Sequence, residues 1–161
     1  MPSILFVCTG NRYRSPIAEA CFKKCLQHAG TPGNWAVHSA GTWAKDGLPP
    51  VPNAIQDAKE LGLEIYAHRS RQVDATILAQ SELILVMESG QKEALQVEFP
   101  GMTDKIHLLT EMVETFPYDI PDPISLDNAA QKLIAHEVCD LVTRGFTAIC
   151  NHVQHPPKPA H

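Results

Sequence analysis

Two rhythms of apolar residues run along this chain. Ile4-Leu5-Phe6-Val7 and Leu83-Ile84-Leu85-Val86-Met87 are short unbroken apolar runs. Such runs mark strands buried on both faces, as in parallel sheets. They predict strands over residues 3–8 and 83–87. Trp35-Ala36-Val37-His38 and Lys105-Ile106-His107-Leu108-Leu109 read as two more. Between them the spacing changes to the helical three-and-four pattern. It predicts helices over 16–29, 53–61, 73–80 and 89–97. Asp127 is the expected N-cap of a long amphipathic helix reaching about residue 153, with Leu133, Ile134, Val138, Leu141, Val142 and Ile149 as its apolar stripe.

Gly30, Pro32 and Gly33 end the first helix, and Gly62 ends the second. Gly47, Pro49, Pro50 and Pro52 mark one loop; Pro117, Asp119, Pro121, Asp122 and Pro123 mark another. Strands alternating with helices imply an α/β fold, doubly wound, with right-handed crossovers. No repeat or linker divides the chain. Residues 1–153 are expected to form one domain, and 154–161 a frayed, disordered C-terminal tail.

The 161 residues suffice for one sizeable core. A net charge of −5 argues against a general nucleic-acid partner. No apolar run is long enough to span a membrane, and no signal peptide opens the chain. The five cysteines are odd in number and lack the spacing of a disulfide framework or a zinc site. A reducing, cytoplasmic setting fits them. Cys21 and Cys25 read as small core residues. No metal and no cofactor are assigned.

The chemistry concentrates in Cys8-Thr9-Gly10-Asn11-Arg12-Tyr13-Arg14-Ser15. A strand precedes these residues and a helix follows them. Backbone N–H groups of residues 9–14 can form a nest for an anion, next to the helix N-terminus. Arg14 can curl back as a two-point clamp on phosphate oxygens. Cys8 stands at the strand end, and its thiolate is the nucleophilic form. Ser15 reads as an N-cap with Pro16 at the first helical position, and its hydroxyl could assist Cys8 as a leaving group. A bare Cys-x5-Arg spacing could equally be a buried thiol and a surface cation. The strand, Gly10-Asn11 and Ser15-Pro16 together favour the catalytic reading.

The segment Val-Cys-Thr-Gly-Asn-Arg-Tyr-Arg-Ser-Pro-Ile-Ala-Glu resembles the low-molecular-weight protein tyrosine phosphatase family. The resemblance implies a four-stranded parallel sheet flanked by helices, from Ile4 to about His152. It implies hydrolysis of phosphotyrosine in protein substrates through a phosphocysteine, with Cys8 as nucleophile and Arg14 as clamp. It places the general acid in an Asp-Pro pair before the last helix, hence Asp122 rather than Asp119, which no proline follows. By itself an Asp-Pro pair is an ordinary turn. The resemblance also implies that Ser39, in Ser39-Ala40-Gly41-Thr42, supports the loop asparagine Asn11. Asn tolerates the left-handed backbone a tight loop needs. Ser39 could equally cap a strand end. Trp43 and Arg12 are candidate substrate walls, and His68, Arg69 and Arg71 read as structural or surface charge.

Three positions depart from the family pattern. Tyr13 stands where many members carry a second cysteine, so oxidised Cys8 lacks a neighbouring thiol and poor recovery after peroxide is expected. Arg12 is neither the aliphatic residue of tyrosine-directed members nor the threonine of arginine-directed ones. Ile124-Ser125 follow Asp122-Pro123 where aromatic residues are common. Protein arginine phosphatase, with the same machinery, is a close alternative. Thioredoxin-linked arsenate reduction is disfavoured, because residues 80–100 hold no cysteine. A non-catalytic phosphoanion-binding module is the reading from a different class, and a Tyr13 ring distorting the cradle would favour it. The expected partners are phosphoprotein, phosphate and similar oxyanions, acting on a monomer.

Overall fold

The computed structural model, which describes residues 1–158, arranges four strands in the order β2-β1-β3-β4. These are β1 (Ser3–Cys8), β2 (Ala36–Gly41), β3 (Leu83–Val86) and β4 (Ile106–Leu108), and every pairing is parallel. β1 is central and buried along its whole length. β2 runs three residues beyond its predicted end. Ser39, Ala40 and Gly41 pair with Phe6, Val7 and Cys8, so the strand continues through them.

Alternate residues of the sheet feed two separate cores. Ile4, Phe6, Leu83 and Leu85 face α1 (Arg14–His28), α2 (Pro52–Glu60) and α5 (Asn128–Gln154). Leu5, Val7, Ile84 and Val86 face α3 (Ala75–Gln80) and α4 (Ser89–Glu98). The two-residue period of a strand makes this division, since successive side chains point to opposite faces. The fold is thus the expected doubly wound α/β sheet.

Two helix expectations need correction. α1 starts at Arg14, with Tyr13 as its N-cap and no side-chain cap. Ser15 is not the cap, because its hydroxyl is turned to Cys8 instead. Pro16 is therefore the third helical residue, where a missing N–H still costs little. On α5, Asp127 does cap as predicted, accepting from the Ala130 N–H at 2.8 Å. Ile134, Val138, Leu141, Val142 and Ile149 are buried, but Leu133 is 69% exposed and does not belong to the stripe. α5 retains Gln154, the first residue of the expected tail; residues 155–158 are non-helical, and 159–161 lie outside the described residues. Among the described residues, no helix is long and apolar enough to cross a membrane.

Candidate active site

β1 ends at Cys8 and α1 begins at Arg14, so five residues must turn a strand into a helix. Asn11 makes the turn possible. Its φ of 57° is left-handed, the one such non-glycine residue among those described. The buried side chain is then fully engaged. Its Nδ2 donates to Ser15 Oγ at 2.8 Å and Ser39 Oγ at 3.0 Å, and its Oδ1 accepts from the Arg71 N–H at 3.0 Å. His68 Nε2 lies 2.8 Å from the Asn11 carbonyl, and Ser39 Oγ donates to Glu19 at 2.7 Å. These contacts hold a strained backbone that sterics alone would disfavour.

Cys8 is 2% exposed, with its Sγ 3.0 Å from Ser15 Oγ. Asn11 already donates to that hydroxyl, which leaves the Ser15 O–H available to the sulfur. Thr9 is anchored from the other face of the sheet: Gln91 Nε2 donates to its Oγ1 at 2.9 Å. Gln91 Oε1 in turn accepts from the Met87 and Glu88 N–H groups, each at 3.0 Å.

Arg14 is 2% exposed and held from below. Its Nη1 donates to Glu88 and to the Ile120 carbonyl, the latter at 2.7 Å. Its Nη2 lies 3.6 Å from Asp122 Oδ2. Nε and Nη2 make no hydrogen bond among the described residues. That edge of the guanidinium is the one able to take two oxygens of a phosphate. Glu88 and Ile120 leave it pointing one way.

Tyr13 does not fill the cradle. Its hydroxyl donates to Asp57 Oδ2 at 2.5 Å and lies 2.8 Å from the Gln131 carbonyl, so the ring ends between α2 and α5. Burial, and then the Asp57 carboxylate, push its phenol well above the usual tyrosine range. It is a neutral wall. Arg12 closes another side, with Nε on the Pro49 carbonyl at 2.7 Å and its own carbonyl accepting from the Val51 N–H at 3.2 Å.

Asp122 caps a short 3-10 turn, Pro123–Ser125, through Oδ1 to the Ile124 N–H at 3.0 Å. The turn is tied to α5 by Gln131, whose Nε2 donates to the Pro123 and Leu126 carbonyls at 3.0 Å each. Cys8, Gly10, Arg12, Tyr13, Arg14 and Asp122 line a single cavity of about 360 Å³. Asp119 is elsewhere, accepting from the Ser89 N–H and hydroxyl. Trp43 is also elsewhere: it is 85% exposed over a separate depression with Thr42 and Lys45 and does not line this cavity. A larger hollow of about 800 Å³ beside α1 contains none of Cys8, Arg14 or Asp122.

Glu88, Gln91 and Gln131 escaped the sequence reading. The spacing Glu88-x-x-Gln91 directly after an apolar strand is a capping-box pattern, and the box is present. It signals a helix start and says nothing about an arginine 74 residues away.

The sequence profile of the family described as "Low molecular weight phosphotyrosine protein phosphatase" matches residues 3–157. A probable low molecular weight protein-tyrosine-phosphatase, EpsP, of Ralstonia nicotianae is 34% identical over 91% of this chain and 92% of its own. A protein-arginine-phosphatase of Geobacillus stearothermophilus is 39% identical over 74% of this chain and 77% of its own. The crystal structure of a low molecular weight protein tyrosine phosphatase from T. tengcongensis superposes with a TM-score of 0.84 at 32% identity, covering 91% of this chain and 99% of that one. A strand-loop-helix cradle at the carboxyl end of β1, in a sheet of this order, and these matches have one meaning: the chain belongs to the low-molecular-weight phosphotyrosine protein phosphatase family.

Proposed function

We propose that this chain hydrolyses phosphotyrosine in protein substrates through a phosphocysteine on Cys8. The observation that carries the reading is the convergence of a thiol, a guanidinium edge and a carboxyl on one cavity, from residues up to 114 positions apart. A purely anion-binding module needs neither the thiol nor the acid.

The substrate phosphate enters with its oxygens on the loop N–H groups and the Nε/Nη2 edge of Arg14. Cys8 sulfur attacks phosphorus in line, and the P–O bond to the aryl group breaks. Asp122 gives its proton to the departing oxygen. In the second step water attacks phosphorus while Asp122 takes its proton. The S–P bond breaks, and the Ser15 hydroxyl donates to the departing sulfur. Ester and water become phenol and phosphate, and no metal or cofactor enters.

Hydrolysis of aryl phosphates by the wild type, Cys8→Ser and Asp122→Ala tests this. Cys8→Ser is expected to abolish turnover. Asp122→Ala is expected to lose roughly 10²–10⁴-fold in kcat with a basic leaving group, and less with an acidic one. Turnover surviving Cys8→Ser overturns the mechanism.

A second reading, action on phosphoarginine, is favoured by the 39%-identical arginine phosphatase and by a mouth lacking a ring at Ile124, which is 82% exposed. The ratio of kcat/KM for matched phosphotyrosine and phosphoarginine peptides separates the two. The setting of the protein is proposed as cytoplasmic and its state as monomeric.

A further inference from the structure

Two cysteine sulfurs outside the active site meet where α1 packs on α5, with a third cysteine nearby on α1. Cys21 is 2% exposed, and its Sγ lies 2.9 Å from Cys139 Sγ on the facing helix. Cys25, one turn further along α1, is half-buried, and Thr143 Oγ1 lies 3.5 Å from Cys21 Sγ. A disulfide bond is ~2.05 Å long, so the Cys21 and Cys139 sulfurs need close by less than about 1 Å. Nothing in the phosphatase chemistry uses them.

We infer that Cys21 and Cys139 are a preformed thiol pair that peroxides convert to a disulfide, stapling α1 to α5. Cys139 is the half-buried member and meets the oxidant first. Its sulfur attacks the O–O bond of hydrogen peroxide, becoming a sulfenic acid as hydroxide leaves. Cys21 sulfur then attacks Cys139 sulfur, the S–O bond breaks, and water departs. Two thiols and one peroxide give one disulfide and two waters. The hydrogen bond between the two sulfurs lowers the Cys139 thiol below the usual cysteine range and raises the Cys21 thiol, so Cys139 is the more readily ionised of the pair. The staple would span 118 positions and so restrict the unfolded chain strongly. The pair is independent of Cys8, and the inference stands or falls apart from the proposed activity.

Trypsin places the five cysteines on five different peptides, Cys21 within residues 15–23, Cys25 within 25–45 and Cys139 within 133–144. The Cys8→Ser chain, which cannot exchange through Cys8, is exposed to hydrogen peroxide and mapped without reductant. The expected product links peptides 15–23 and 133–144 and is lighter than their sum by two hydrogens. Free thiols fall from four to two, the melting temperature rises, and dithiothreitol reverses both. Cys139→Ser should remove the link. Cys21 and Cys139 recovered as thiols or over-oxidised singly, or a link made through Cys25 or Cys150 in their place, overturns the inference. The mapping needs no variant of the pair itself, so misfolding of Cys139→Ser would not obscure it.

Discussion

Single residues decide whether the cradle can exist. Gly41 ends β2 directly beneath the loop: a Cβ there would sit 2.3 Å from the Thr9 carbonyl oxygen and 2.9 Å from Ala44 Cβ. Backbone cannot give way as a flexible side chain could. Gly41→Ala should cost about 1–3 kcal/mol. It should also lower kcat/KM, because the displaced atom belongs to the loop. Urea unfolding and aryl phosphate turnover measure the two effects; a variant as stable and active as the wild type would contradict this packing. Residue-scale geometry is also the most legible part of the sequence. Cys8, Arg14 and Ser15 lie within eight positions, and short loops express their own geometry. Even so, the pattern points to Ser15 as a cap, whereas its hydroxyl, which could satisfy a helix end, instead satisfies a sulfur. Trp43, a candidate wall by its place in a Gly/Pro-rich loop, lies over a separate depression and does not reach the cavity.

At the scale of elements, Gln131 joins the parts. Its side chain fixes the turn behind Asp122, and its carbonyl lies beside the Tyr13 hydroxyl. The first turn of α5 therefore sets the distance between acid and cradle. Gln131→Ala should lower kcat by about tenfold for phosphate esters with basic leaving groups and far less for acidic ones, since only the former need the proton. An equal loss across leaving groups would mean that Gln131 serves folding alone. No sequence pattern announced this clamp. Gln131 looks like any polar residue in a first helical turn, and its partners Pro123 and Leu126 take part only through backbone. Glu88 and Gln91 were hidden for a related reason: their local pattern was already explained by capping α4. Long-range partners become visible only when β1 and β3 are known to be neighbours.

Across the whole molecule, the alternation of strands and helices gave the sheet correctly, because apolar runs such as Leu83–Met87 are unambiguous. Element ends moved by one to three residues where pairing overrode local pattern, as at β2. The assembled fold also predicts its response to acid. Burial, and then the neighbouring His107, lower the affinity of His152 for a proton, and burial does the same for His38. Both folded values lie below the ordinary 6.5, so the unfolded chain binds more protons in that window. Their contribution to stability is complete above about pH 6.5 and is lost as pH falls through the folded values. Urea midpoints on either side of 6.5 should show this decline, and His152→Gln should reduce it. A midpoint independent of pH in that range would refute the assignment.

The central position of β1 carries a consequence for biosynthesis. The nucleophile's strand leaves the ribosome before any of the strands it pairs with. Its arginine gains the Ile120 carbonyl only after three quarters of the chain has emerged, and α5 arrives last of all. A nascent chain halted before that point holds every atom of Cys8 and Arg14 but lacks the Ile120 carbonyl on the guanidinium, Asp122, and the Gln131 clamp behind it. Competence should therefore switch on late and abruptly during translation.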